Sequence, residues 1–358
     1  MRQYHSLTVS QLCEETPDSV RIGLEVPDEL KSDFDFVPGQ HLPVEAAVDG
    51  KKVRRTYSIC SVPGAWPLEI GVRIQPGGSF SNYAAKKLKV GDQLQVMPAF
   101  GRFHTHRDSA GTGCYLAFAA GSGITPILSI IRATLEAEPA SHFVLFYGNR
   151  NQQSTMFIDD LYALKNRFPE HLQLNFLFSR EEQEFPILSG RLDARKVREL
   201  YAHFCAGIDP TEVFICGPDS MTVDVTKALL GLGIDEAAIH AERFGALRKK
   251  KPLQSATPAE ADTGKNAEIS VILDGHRKSF KMPAEGVSIV NAAAHNGIDL
   301  PYSCKSGVCA TCRTHVREGK VRMDTNYGLE PWEVEQGFVL ACQSHPLTDK
   351  VVLDYDKI

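Results

Sequence analysis

The sequence predicts a multidomain α/β plus β protein, with an antiparallel barrel first, a doubly wound parallel sheet second and a β-grasp domain last. Three observations carry this expectation. Up to about residue 105 the apolar runs are short and separated by turn signals, the spacing of a small barrel. From Tyr115 onward, apolar runs alternate with helical stretches, the pattern of a parallel sheet covered on both faces. Near the C-terminus, a hairpin and a short helix precede a loop crowded with cysteines. A chain of 358 residues also exceeds what one hydrophobic core usually organises.

The barrel, placed at residues 1–108, draws on the runs Val20 to Val26, His41 to Ala47, Val53 to Ile59, Leu68 to Ile74 and Leu94 to Val96. Pro38-Gly39, Asp49-Gly50, Gly77-Gly78 and Gly91-Asp92 supply its turns. The second domain, 109–246, has strand candidates at Tyr115 to Ala120, Phe143 to Tyr147, Leu172 to Phe178 and Glu212 to Cys216. Each ends in a polar or glycine-containing turn: GSGITP, GNR, SRE and CGP. Ligands of open α/β sheets sit at the carboxyl ends of strands, so four such turns on one edge point to one site.

Residues 247–266 are charged, proline-containing and poor in large apolar groups, as a linker should be. Lys249 to Lys251 reads as a solvated run, with docking of an acidic partner as the alternative. The third domain, 267–358, opens with Glu268 to Leu273 and Arg277 to Lys281 flanking Asp274-Gly275-His276, a hairpin with a tight turn. A helix from Ser288 to Asn296 follows, capped by Gly297.

Composition excludes several classes. With 43% hydrophobic and 23% charged residues, the chain is of ordinary globular make-up. A net charge of -5 gives no case for nucleic acid. The opening residues lack the basic and apolar segments of a secretory signal. The apolar region Tyr115 to Ile131 is interrupted by Gly121, Ser122, Gly123, Thr125 and Pro126, which argues against a membrane span. Nine cysteines, four of them between 304 and 342, suggest metal ligation in a reducing compartment, and a cytoplasmic protein is expected. Cys13, Cys60, Cys114 and Cys205 read as structural thiols. His104 and His106 look like a metal pair but lack a third ligand nearby in sequence, so they read as loop residues.

Cys304-x4-Cys309-x2-Cys312, closed by Cys342 after 29 residues, has the spacing of a plant-type 2Fe-2S site. Ser306, Gly307, Ala310 and Thr311 are small, which lets the backbone wrap closely and donate N–H groups to sulfur. Structural zinc is the alternative, but only one short cysteine pair of the zinc kind is present.

On these residues the last segment resembles a plant-type ferredoxin domain, and the two before it resemble a ferredoxin-NADP reductase-type module. That family carries R-x-Y-S/T in a flavin-binding barrel, here Arg55-Thr56-Tyr57-Ser58, then a glycine loop, here Gly78-Ser79-Phe80-Ser81. The resemblance implies FAD, with Arg55 pairing the pyrophosphate, Tyr57 facing the ring, Ser58 bonding near its reactive nitrogen and the Gly78–Ser81 loop cradling phosphate. Gly121-Ser122-Gly123, followed by Thr125 and Pro126, is on its own only a tight turn before a helix. By resemblance it holds the pyrophosphate of NAD(P)H, with Thr125 beside the nicotinamide. Cys216-Gly217-Pro218 with Met221 resembles the second nicotinamide motif, where the cysteine lies near the hydride-transfer face; a buried core thiol is the alternative. Glu242-Arg243-Phe244 resembles the segment whose phenylalanine covers the flavin, and an ordinary core phenylalanine is the alternative.

Ser179-Arg180 resembles the pair that NADP-specific members set against the ribose 2′-phosphate, and no acid occupies either position. NADPH is therefore expected over NADH, although Glu181 and Glu182 weigh against a phosphate. Arg150 is a further candidate contact, with a solvated arginine as the alternative. Hydride arrives as an electron pair and a 2Fe-2S cluster takes electrons singly, so a flavin must stand between them. Such a chain needs an external acceptor. The segments YGNR, ICGP, HAERF and the cysteine loop most resemble reductase subunits of phenylacetyl-CoA epoxidases, which implies a multisubunit di-iron oxygenase as partner. The alternatives are a reductase for a Rieske-type oxygenase acting on steroids or aromatics, and a redox-sensing module without a dedicated oxygenase.

Overall fold

The computed structural model describes residues 3–105, 112–244 and 266–357. They form two compact units, one drawn from the first two stretches and the other chiefly from the third. The expected linker lies outside the described residues, apart from Asn266.

The first unit begins with strands β1 (His5–Thr16), β2 (Ser19–Glu25), β3 (His41–Val48), β4 (Lys51–Ser58), β5 (Leu68–Arg73) and β6 (Gln93–Val96). Their order in the sheet is β4-β3-β6-β1-β2-β5. Beyond the end of β4, an Ile59–Ile70 bridge and a Cys60 N–H bond to the Glu69 carbonyl at 2.9 Å join the two edges, which closes the barrel. Alternation sends Leu7, Val9, Ile22, Leu24, Val44 and Val96 inward. Helix α1 (Ser79–Lys86) covers one end with Phe80 and Ala84.

Strand β1 was not anticipated. Only Leu7 and Val9 show clean alternation, and register shifts after Val9 and Glu14 break the pattern that a period-two reading relies on.

The same unit continues with β7 (Cys114–Ala120), α2 (Ile124–Ala137), β8 (His142–Asn149), α3 (Ile158–Arg167), β9 (Leu172–Phe178), α4 (Ala194–Phe204), β10 (Glu212–Pro218), α5 (Asp219–Gly231) and β11 (Ile239–Phe244). The strands are parallel in the order β11-β10-β7-β8-β9. Alternate residues of β7 feed opposite cores: Tyr115, Ala117 and Ala119 meet α2 and α3, while Leu116 and Phe118 meet α4 and α5. Strand order reverses between β7 and β10, so the turns after these two strands border the crevice where this fold binds ligands.

Barrel and parallel sheet are fastened by an ionic cluster. Arg21 pairs with Glu15 at 2.7 Å and with Asp160, which also takes Arg132. Glu15 in turn accepts the Phe157 N–H at 2.7 Å.

The second unit holds β12 (Asn266–Leu273), β13 (His276–Pro283), α6 (Ile289–His295), β14 (Arg313–Glu318), β15 (Val321–Met323), α7 (Pro331–Glu335), β16 (Phe338–Leu340), β17 (Ser344–Pro346) and β18 (Lys350–Asp354). The main sheet runs β13-β12-β18-β14-β16, with β12 and β18 parallel, and β15 pairs with β17 separately. The predicted hairpin is present, and Asp274 and Gly275 both have positive φ, the two-residue turn that suits strand twist. The predicted helix is α6, with Ser288 at its N-cap and Gly297 just past its end at φ +72°. Among the described residues, no helix is long and apolar enough to cross a membrane.

Candidate functional site

The cysteine loop is a cradle of backbone amides. Lys305, Gly307 and Ala310 take left-handed conformations, φ +54°, +75° and +50°, so the chain folds back on itself and its N–H groups face sulfur. The N–H of Ser306 donates to Cys304 Sγ at 3.3 Å, that of Cys309 to the same sulfur at 3.4 Å, and that of Cys304 to Cys309 Sγ at 3.4 Å. On the other side the Cys342 N–H reaches Cys312 Sγ at 3.5 Å, and the Gln343 amide reaches Cys342 Sγ at 3.7 Å.

The four sulfurs thus stand as two pairs, Cys304 with Cys309 and Cys312 with Cys342, in a loop backed by hydrophobic core. Hydrogen bonding from Cys309, reinforced by Ser306, pushes the Cys304 thiol down to about 5, and bonding from Cys312 lowers Cys342. The paired hydrogen bond and burial drive Cys309 and Cys312 the other way. A four-cysteine donor set with amides already turned toward sulfur fits a 2Fe-2S cluster, which would bind the sulfurs as thiolates.

On the barrel, Tyr57 and Ser58 end β4, and Phe80 stands near Tyr57 with ring centroids 5.2 Å apart. Tyr57 and Thr56 are half-buried and Ser58 is buried. Arg55 extends from the surface, its guanidinium bonded locally to the Arg54 carbonyl at 2.7 Å. The Ser81 hydroxyl is buried and accepts the Gln75 N–H at 3.1 Å, so it also shapes the turn that presents Gly78 and Ser79. An aromatic face, a far-reaching guanidinium and a glycine turn at a helix start suit a flavin nucleotide.

At the sheet's carboxyl edge, Gly121-Ser122-Gly123 forms a single tight turn leading into α2. A Cβ on Gly123 would lie 2.1 Å from the Cys216 carbonyl oxygen, so only glycine lets this turn pass the end of β10. Thr125 donates to the Ser122 carbonyl at 2.9 Å, and Pro126 follows it into the core. Thr125's methyl packs on Gly71 of the barrel, where a Cβ would come within 2.8 Å.

Cys216 is fully buried, and its Sγ donates to Glu242 at 3.9 Å. Burial and the Glu242 charge hold this thiol well above its ordinary range. Gly217 follows against Met221, and Pro218 precedes α5. The glycine turn and the Cys216 segment, predicted separately, therefore form one wall.

Ser179 and Arg180 follow β9, and their N–H groups bond to the Asn149 and Arg150 carbonyls at 3.0 and 2.9 Å. Arg150 is not merely solvated: its guanidinium pairs with Asp18 of the barrel. Glu181 is turned back to accept the Gln152 N–H at 2.9 Å. The Phe244 side chain and His106 lie outside the described residues, and His104 bonds the Thr105 carbonyl at 2.8 Å.

Sequence reasoning missed two residues here. Glu242 stands between Cys216 and His41, whose Nδ1 is 3.4 Å away. Arg73, the last residue of β5, brings its guanidinium beside Gly121. Arg73 belongs to no motif, and the segment Glu242-Arg243-Phe244 drew attention to its phenylalanine and gave the acid no role, so only the packing of barrel on sheet reveals them. One reading of the thiols is corrected as well: Cys13 is exposed, because a bulged barrel strand turns it to solvent, whereas Cys60 and Cys205 are buried.

These folds and sites define a flavin-dependent NAD(P)H oxidoreductase with its own iron–sulfur domain. Family models agree in kind and order: an oxidoreductase FAD-binding domain matches residues 6–105, an oxidoreductase NAD-binding domain 118–227, and a 2Fe-2S iron-sulfur cluster binding domain 271–347. The chain belongs to the family of reductase components of oxygenases that join these three domains. It is 43% identical to a subunit of 1,2-phenylacetyl-CoA epoxidase from Escherichia coli (strain K12), over 99% of both chains. It is 33% identical to the ferredoxin reductase component of 3-ketosteroid-9-alpha-monooxygenase from Rhodococcus rhodochrous, over 98% of this chain and 96% of that one. Phthalate dioxygenase reductase shares the fold across 98% of both chains, with a TM-score of 0.58 and 22% identity.

Proposed function

We propose that this chain takes hydride from NADPH and delivers electrons singly, through FAD and a 2Fe-2S cluster, to a multisubunit di-iron oxygenase that forms a ring epoxide on phenylacetyl-CoA. The observation that carries this reading is the 43% identity to an epoxidase subunit over 99% of both chains. FAD, when bound, accepts the hydride pair and releases its electrons one at a time.

In this reading the FAD domain spans 1–108, the NAD(P)H domain 109–246, the linker 247–266 and the ferredoxin domain 267–358. Arg55 pairs the flavin pyrophosphate in a fork, and Thr56, Tyr57 and Ser58 line the ring. Gly78, Ser79 and Phe80 offer backbone N–H groups, while Ser81 holds their turn. Phe244 covers the ring.

Gly121, Ser122 and Gly123 hold the dinucleotide pyrophosphate at the start of α2, and Pro126 fixes the helix that follows. Thr125 and Cys216, with Gly217 and Pro218, orient the nicotinamide; Cys216 acts as a protonated wall and not as a nucleophile. Ser179, Arg180 and Arg150 select the 2′-phosphate, which competes with Asp18 for Arg150. Cys304, Cys309, Cys312 and Cys342 bind the cluster. Nine cysteines with no disulfide among them, four of these the cluster ligands, favour a cytoplasmic location.

The test is anaerobic titration with NADPH, and separately NADH, recording the visible spectrum and assaying iron, sulfide and flavin, followed by reconstitution with di-iron oxygenase subunits and phenylacetyl-CoA. Flavin bleaching before cluster reduction, NADPH preference and epoxide formation are expected. Absence of flavin, or zinc in place of iron, removes the reading. A second reading, supply of an oxygenase that acts on steroids, is supported by the 33% identity to the ketosteroid monooxygenase reductase. Transfer to such an oxygenase, with none to the di-iron enzyme, would establish it.

A further inference from the structure

We infer that Asn149 is a nucleotide-binding residue whose carboxamide takes the free ribose hydroxyl of the adenosine half, the 3′-hydroxyl in NADPH; this rests on the dinucleotide reading above. Asn149 is the last residue of β8. Its carbonyl accepts the Ser179 N–H at 3.0 Å, which sets it directly beside the Ser179-Arg180 pair. Within β8 the side chains alternate. Gly148 faces Leu192 on one side of the sheet, so Asn149 shares the opposite face with Tyr147. The Tyr147 hydroxyl donates to the Gly121 carbonyl at 2.9 Å, so that face looks onto the glycine turn after β7. The Asn149 side chain therefore stands between the two places where the ends of one dinucleotide half are held.

Its condition points to a ligand. Asn149 is 8% exposed, yet neither its Nδ2 nor its Oδ1 has a hydrogen-bond partner. The Tyr147 hydroxyl, on the same face, gives its proton to the Gly121 and Met156 carbonyls, at 2.9 and 3.3 Å, and so supplies no donor to Oδ1. Leaving such a buried group unsatisfied is destabilising, and an apolar residue of the same shape would avoid that cost. The carboxamide offers a donor and an acceptor together. A phosphate oxygen only accepts and would satisfy half of it, whereas a ribose hydroxyl both donates and accepts and satisfies both atoms.

The probes are adenosine 2′,5′-bisphosphate and its 3′-deoxy analogue, titrated calorimetrically into the flavin-loaded full-length wild type and Asn149→Leu. Wild type should prefer the bisphosphate. Asn149→Leu should weaken the bisphosphate roughly tenfold, the worth of about one buried hydrogen bond, and leave the analogue's affinity unchanged. Without ligand its melting temperature should not fall, since an unsatisfied amide has been replaced by an apolar group of similar size; a purely structural asparagine would give a lower one. Equal weakening of both probes, or of neither, overturns the inference. Should Asn149→Leu lose its flavin, wild type alone decides, because a wild type that binds both probes equally overturns it. A wild type that binds neither the bisphosphate nor NADP+ overturns the dinucleotide reading itself.

Discussion

Cysteine chemistry shows how one residue type is tuned to different ends by its surroundings. The Cys60 and Cys216 thiols are fully buried, each with a carboxylate near, and desolvation raises both; Cys304 receives two amides and another thiol, and is lowered. A raised pKa means less thiolate at any given pH. Alkylation of the native protein at about pH 8.5 should therefore leave Cys60 and Cys216 unmodified while exposed Cys13 reacts first, as read by peptide mass mapping. Modification of Cys216 ahead of Cys13 would contradict the burial and charge assigned to it. Replacing Cys304 with serine should abolish bound iron and sulfide but leave flavin content and NADPH-driven flavin bleaching intact, which elemental analysis and the visible spectrum will show.

Elements meet in this molecule where glycine permits it. Gly123 passes the end of β10 with no room for a methyl group, so Gly123→Ala must push α2 away from the Cys216 carbonyl. That overpacking should cost about 1–3 kcal/mol in urea unfolding and weaken NADP+ binding with it. Barrel and sheet are tied through Asp160, which pairs with Arg21 and Arg132 at partly buried positions. Asp160→Asn keeps the shape but removes the charge between two guanidinium groups. A loss of about 1–3 kcal/mol is expected, and high salt should narrow the gap to wild type in denaturant melts.

At the level of the whole chain, the hydrophobic cores are separate: among the described residues, none of the core behind the cysteine loop belongs to the cores of barrel or parallel sheet. A fragment ending at residue 244 should accordingly fold, retain flavin and pass electrons from NADPH to ferricyanide. It should fail to reduce the oxygenase, because the cluster domain is missing. Loss of flavin from that fragment, seen in its absorption spectrum, would show that the barrel needs the rest of the chain.

The sequence by itself determined what depends on local spacing. The Cys304, Cys309 and Cys312 spacing, the glycine turn after β7, the Asp274-Gly275 hairpin and the alternation of strand and helix between 115 and 218 are all readable because each is built within a few residues or one period. It was silent where the determinant is distant or the pattern is broken. Strand β1 hides behind two register shifts, β11 is a polar edge strand, and β15 and β17 have three residues each, too few for any period to register.

Only the tertiary structure decided that Ser81 serves its own turn, that Arg150 answers to Asp18, and that Glu242 and Arg73 stand at the site. It alone shows that Asn149 is buried with its amide unsatisfied. The physical reason is common to all of these. A charge or amide takes its role from the groups packed around it, and those groups come from strands far apart in the chain.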